Sequence, residues 1–210
     1  MRQLSTTILA IFIFFAVSLP AISSYKGGVS YSIPIEYKNL SENELKPIAH
    51  NYFYNALNAE EGVINDDVTK ALNMYTVLQQ INPQNISYSI KLGILYDKLG
   101  KDRFAKGNFA HAIGIAPEKA VSYYYYGEYY YKRGQFRQAL KYYKKALERL
   151  EKPSYELYYK LGDVYQKFGD TKQALKYLKL AQEQKSNSKL SSKIKQVETI
   201  DSINSIYYRD

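Results

Sequence analysis

An all-α solenoid of about four helix-turn-helix repeats, closed by a C-terminal capping helix, is the fold class that this 210-residue sequence predicts. Three observations predict it. Apolar residues recur three and four positions apart in paired short segments, the spacing of one buried helix face. A glycine stands between the two members of each pair, where a chain must turn. The whole pattern then returns every 34 or 35 residues, from Gly93 to Gly127 and from Gly127 to Gly162.

The first element is an address and not part of the solenoid. Met1 and Arg2 give a positive start, Ile8 to Leu19 form an apolar run of 12 residues, and Pro20-Ala21-Ile22-Ser23 offers small residues at a cleavage site. Residues 1–23 therefore read as a signal peptide, with an uncleaved N-terminal anchor as the alternative; the run falls short of the roughly 20 residues that span a bilayer. A buried core helix fits poorly, because the run has no polar face. Residues 24–41, with Gly27-Gly28 and Pro34 among Tyr, Ser and Lys, suit an extended linker.

Residues 42–188 form the expected repeat domain, with repeats at about 52–85, 86–119, 120–154 and 155–188. Ser41 and Glu44 have capping-box spacing ahead of a helix over 42–59, which Pro47 is expected to break or kink. The first copy is irregular: Asn58-Ala59 stands where later copies have Leu-Gly, Gly62 stands where a Tyr recurs later, and only Ala71, Tyr75, Leu78 and Pro83 keep the register.

The later copies align closely. Leu92-Gly93, Tyr96, Gly100, Ala105, Phe109 and Ala112 are followed by Tyr126-Gly127, Tyr130, Gly134, Ala139, Tyr143 and Ala146, then by Leu161-Gly162, Tyr165, Gly169, Ala174, Leu178 and Ala181. Helices are expected over 87–99 and 102–115 in the first of these, with Gly100, Gly134 and Gly169 ending first helices and Pro83 and Pro117 stopping second ones. Close helix crossings demand small residues, so Gly93 should face Ala105, Gly127 Ala139, and Gly162 Ala174. The recurring Tyr, Phe and Leu then fill the seams between hairpins.

These matched positions resemble the tetratricopeptide repeat (TPR) family over roughly two thirds of the chain. The resemblance implies a right-handed superhelix whose first helices line a concave groove that receives a peptide or helix of a partner. Carried over residue by residue, the groove would present Ile90, Ile94, Asp97 and Lys98, then Val121, Tyr124, Glu128, Tyr131 and Lys132, then Glu156, Tyr159, Asp163 and Lys167. Tyr124, Tyr131 and Tyr159 are the candidate anchors, since Tyr buries a large ring with few rotatable bonds and keeps a polar tip. Family members that grip chaperone C-termini use a clamp of Lys and Asn side chains, whereas the comparable places here hold Ala56, Glu60, Lys91, Val121 and Tyr125. The resemblance does not extend to that receptor type.

The last element, 189–210, covers the final hairpin, which could not otherwise bury its apolar face. Leu190, Ile194, Val197, Ile200 and Ile203 recur at helical spacing among Lys and Ser. A lone amphipathic helix lying on a membrane is the alternative.

Composition narrows the chemistry. The chain has no Cys, which excludes disulfides, thiolate metal sites and a cysteine nucleophile. His50 and His111 are the two histidines, and no cluster has metal-ligand spacing; His111 reads as solvated. No phosphate-binding glycine loop, nucleophile elbow or triad can be assembled, and Glu128 and Asp163, one repeat apart, read as solvated or partner-binding carboxylates. Catalytic, cofactor and metal sites are expected to be none. Two glycosylation sequons, at Asn39 and Asn85, would matter only in a eukaryotic secretory host.

The net charge of +9 is uneven: residues 81–210 hold 24 Lys+Arg against 13 Asp+Glu, while residues 25–80 hold 4 against 7. Arg137, Lys141, Lys144, Lys145, Arg149, Lys172, Lys176 and Lys179 would form a basic outer face on the second helices. The expectation is a non-enzymatic scaffold outside the cytoplasm, periplasmic or secreted, that binds a protein or peptide and no nucleic acid. The alternative is a structural cell-envelope component docking on anionic surfaces by its basic face, in peripheral contact with membrane or envelope.

Overall fold

A computed structural model describes residues 37–207. The expected signal peptide and most of the linker lie outside the described residues. Those residues form nine α-helices and no strand: α1 (Glu42–Asn58), α2 (Asp66–Ile81), α3 (Ile86–Lys98), α4 (Asp102–Ile115), α5 (Ala120–Lys132), α6 (Phe136–Leu147), α7 (Tyr155–Lys167), α8 (Thr171–Gln184) and α9 (Ser188–Tyr207). Each odd helix up to α7 packs on the even helix after it, each hairpin packs on the next, and α9 packs on α8. First helices also meet across repeats, α1 with α3 and α3 with α5, so they define one inner face of the array.

The turns repeat the same chemistry. Gly100, Gly134 and Gly169 have φ of 65°, 68° and 74°, the left-handed region a side chain disfavours. In the first of these turns the Gly100 N–H donates to the Asp97 carbonyl at 2.9 Å and the Lys101 N–H to the Tyr96 carbonyl at 2.8 Å. That pair satisfies carbonyls left over at the helix end. The same two bonds recur from Gly134 and Gln135 and from Gly169 and Asp170.

Packing corrects one expectation. A Cβ built on Gly93 would lie 2.7 Å from the Phe109 ring, one on Gly127 2.6 Å from the Tyr143 ring, and one on Gly162 2.7 Å from Leu178 Cγ. Each glycine therefore makes room for the bulky residue one turn beyond the alanine assigned to face it. Ala105, Ala139 and Ala174 are fully buried, as are Tyr143 and Leu178.

The front end departs further. Pro47 sits inside one continuous helix and does not end it. It falls in the second turn, where Asn43 and Pro47 are both exposed, so the carbonyl that loses its rung is open to water. Ser41 caps the helix start: its N–H donates to Glu44 Oε2 at 2.9 Å. The first hairpin thus begins at Glu42, well ahead of residue 52, and a longer turn holding Gly62 (φ 79°) joins α1 to α2.

At the other end α9 buries Leu190, Ile194 and Val197 against the last hairpin. Ile200 and Ile203, expected to continue that face, are 38% and 47% exposed. Among the described residues no helix is long and apolar enough to cross a membrane.

Candidate functional site

The first helices of three successive hairpins enclose a cavity of about 580 Å³ on the inner face. Phe53, Tyr54 and Leu57 come from α1, Ile86, Ser87, Ile90, Lys91, Ile94 and Asp97 from α3, and Val121, Tyr124, Tyr125, Glu128, Tyr129 and Lys132 from α5, with Phe109 from α4. Period explains the choice: a helix that packs on its own partner with one stripe presents the next stripe to the groove. Leu92 and Leu95 are buried while Ile94 and Asp97 reach the cavity. Tyr54, Leu57 and Val121 are 55%, 38% and 43% exposed, an apolar rim with nothing over it among the described residues.

The candidate residues divide into two sets. Ile90, Ile94, Tyr124, Glu128 and Lys132 line this cavity, with Asp97 and Val121. Lys98 reaches its edge, where Nζ donates to the Leu57 carbonyl at 2.9 Å and ties α3 to the end of α1. Tyr131, although on α5, does not line the cavity; Tyr159 and Asp163 lie one repeat further on in α7, and Lys167 is exposed near the end of that helix.

Asp163 is corrected from a solvated groove carboxylate to a buried one, 4% exposed. The Tyr131 hydroxyl donates to one of its oxygens and Lys193 of α9 to the other. Burial alone would raise the Asp163 carboxyl; the bonds from Lys193 and Tyr131 outweigh it and hold the group below its ordinary range. Burial, then Asp163, pushes the Tyr131 phenol up. Tyr159 is half-buried, stacked on Tyr155, with the Lys193 ammonium 5.7 Å from its ring centre.

Glu128 is engaged as well. It accepts from the Tyr143 hydroxyl and pairs with Lys160 of α7 at 2.8 Å. Asp97 pairs with Arg133 at 2.5 Å and Lys132 at 3.3 Å. His111, expected to be solvated, is exposed yet stands 3.0 Å by Nδ1 from the Oγ of buried Ser89. Tyr124 packs on Tyr143 at 5.9 Å, and burial, then Glu128, raises its phenol.

Sequence reasoning missed Tyr54 and Leu57, because the first copy lacks the Leu-Gly marker that sets the register. Leu45, Ala49, Phe53 and Ala56, all buried at helical spacing behind the Ser41 cap, carry the signal that would have placed them. Lys91 enters the sequence reading only as a misfit to the chaperone clamp. It lies between Phe53 and Tyr75, its Nζ 4.6 and 5.7 Å from the ring centres, and burial lowers its ammonium. Among the described residues no group of three or more His, Cys, Asp or Glu could hold a metal ion.

Comparison with known proteins agrees with this architecture. Residues 130–195 match the tetratricopeptide repeat family model. No curated protein matches in sequence. Among solved structures, a thermophilic TPR protein in Thermus thermophilus is 18% identical, with a TM-score of 0.59 over 78% of this chain and 84% of that one. PilW, a widely conserved type IV pilus biogenesis factor, is 22% identical, with a TM-score of 0.56 over 67% of this chain. YrrB, a TPR protein with an unusual peptide-binding site, is 25% identical, with a TM-score of 0.50 over 54% of this chain. The chain spans 60% of the length of PilW and 58% of that of YrrB. The recurring glycine turns and stacked hairpins of the described residues are similar in fold to those of solved tetratricopeptide repeat proteins, and residues 130–195 carry the match to that family's model.

Proposed function

We propose that the protein is a non-enzymatic scaffold that holds an apolar segment of a partner protein in the cavity between α1, α3 and α5. The observation that carries this reading is the exposure of Tyr54, Leu57 and Val121 around a recess of about 580 Å³. Apolar side chains left open around a concavity gain by being covered, at roughly 25 cal/mol per Å² removed from water. The peptide-binding site named for YrrB supports the mode of action by analogy of fold.

A variant with Tyr54→Ser, Leu57→Ser and Val121→Ser tests it, since all three side chains are exposed and their loss spares the core. Affinity purification with wild type should recover a protein that the triple variant loses. Equal recovery of every protein by both would reject the groove.

Action outside the cytoplasm is part of the proposal and is supported by the character of residues 1–23. Mass spectrometry of the mature N-terminus tests it: a chain starting near Ser24 supports export, and an intact Met1 or Arg2 counts against cleavage.

One observation favours a second reading. Of the exposed cations Arg137, Lys141, Lys144, Lys172, Lys176 and Lys179 on α6 and α8, Lys179 alone pairs with a carboxylate among the described residues, Glu198 at 3.0 Å. Contact with an anionic envelope surface would use that face. Salt-sensitive sedimentation with anionic liposomes, abolished by Lys141→Gln with Lys144→Gln and unaffected by the groove variant, is its expected signature.

A further inference from the structure

The charges of the inner face are unequally answered. Asp97 is held by Arg133 and Lys132, and Glu128 by Lys160 and the Tyr143 hydroxyl, so both acids lining the cavity already have cations from this chain. Lys91 differs. It forms no ion pair among the described residues and rests on the faces of Phe53 and Tyr75, which offer its ammonium quadrupole attraction but no formal counter-charge. A half-buried cation in that state gains from any carboxylate brought within hydrogen-bonding reach, because partial desolvation strengthens a charge-assisted bond.

Lys91 also has a special place. It lines the groove cavity and a second, adjoining recess of about 360 Å³, whose wall includes Lys46, His50, Asn85 and Ser87. Ser87 is likewise shared by the two. The one carboxylate bonded at that wall, Glu42, is spent on Lys46 at 2.9 Å and on the Tyr88 hydroxyl at 2.6 Å. Among the described residues the second recess is therefore lined by no carboxylate that could answer Lys91, and a segment lying through both recesses passes Lys91 part-way along its length and not at its end.

We infer that the segment held in this groove is an apolar stretch interrupted by an acidic side chain, Asp or Glu, which pairs with Lys91 at the junction of the two recesses. The inference rests on the groove reading above and specifies the chemistry of its occupant. Charge complementarity selects an acidic residue, and the continuity of the recesses on both sides of Lys91 selects a side chain over a chain terminus.

The test is selection of random linear peptides displayed on phage, fused through their C-termini so that no free carboxylate ends the displayed sequence, against the immobilised full chain. Wild type should enrich peptides with Asp or Glu flanked on both sides by apolar residues. In a synthetic copy of such a peptide, the acid-to-amide change should weaken binding about ten-fold, a typical effect for a charge-assisted contact. Amidating its C-terminus should change nothing. Lys91→Gln should lower affinity for the acidic peptide by a similar factor and leave the amide peptide unaffected, and Lys91→Glu should turn selection toward Lys or Arg, which a purely structural role for Lys91 would not do. Enriched peptides that lack an acid, keep their acid preference with Lys91→Gln, or depend on a free C-terminus would overturn this inference while leaving the groove in place, provided the Tyr54, Leu57 and Val121 variant abolishes their binding. If no selected peptide is lost on that variant, the groove reading and this inference fall together.

Discussion

The ammonium of Lys193, in the C-terminal helix, donates to the buried carboxylate of Asp163 in the last hairpin, and Tyr131 from the hairpin before completes the cluster. Three consecutive units thus meet at one side chain. Removing either charge leaves the other partly desolvated without its partner, the costlier way to disturb a buried pair. Lys193→Met is expected to lower stability by about 1–3 kcal/mol, measured by urea unfolding, and to loosen α9 first in hydrogen exchange.

The same cluster fixes a pH dependence. Asp163 is held below its ordinary value of 3.8, so its contribution to stability is present above that value and drains away as the pH falls through the lower value of the folded state. The stability difference between wild type and Asp163→Asn should therefore shrink as the pH is taken from about 5 to about 3. A difference that stayed constant over that interval would remove Asp163 from the acid response.

Gly127→Ala should destabilise the protein by about 1–3 kcal/mol, the cost of overpacking a filled seam. Its new methyl would stand 2.6 Å from the ring of Tyr143, which is fully buried and anchored through its hydroxyl to Glu128. A thermal midpoint equal to that of wild type would show that the ring can retreat.

Gly107→Ala and Gly114→Ala should do the reverse. Both glycines lie in α4, are exposed, have no atom within 4 Å of an added Cβ, and carry no positive φ. Alanine there narrows the unfolded ensemble and favours the helix by roughly 0.5–1 kcal/mol each. Gly134→Ala, at φ 68°, should instead cost about 1–2 kcal/mol, so the three variants compared by unfolding separate backbone strain from space.

Much of this architecture was legible because its determinants are local and periodic. A glycine before an even helix and an alanine within it mark a turn and a crossing wherever they recur, so the hairpins from Ile86 onward follow from the residues alone. What periodicity could not give was the azimuth of one helix against another: the repeat pattern pairs Gly93 with Ala105, yet the open side of Gly93 meets Phe109. The first hairpin was obscured because its helix starts early and its turn is long, shifting Tyr54 and Leu57 out of the repeat register. Asp163 escaped for a different reason. Its burial depends on Lys193, which stands 30 positions away in a helix outside the repeats.

Three acids on the inner face are answered from one unit further along: Asp97 in α3 by Lys132 and Arg133 at the end of α5, Glu128 in α5 by Lys160 in α7, and Asp163 in α7 by Lys193 in α9. The stitching has a direction. Peeling the array from its C-terminal end strips a cation from the unit that becomes the new end, whereas peeling from the front frees the following units of an acid and leaves their lysines to solvent. Damage therefore travels more readily toward the N-terminus, and a truncation that stops after α8 would leave a ragged edge with an unanswered carboxylate, while one that stops after α9 would close cleanly.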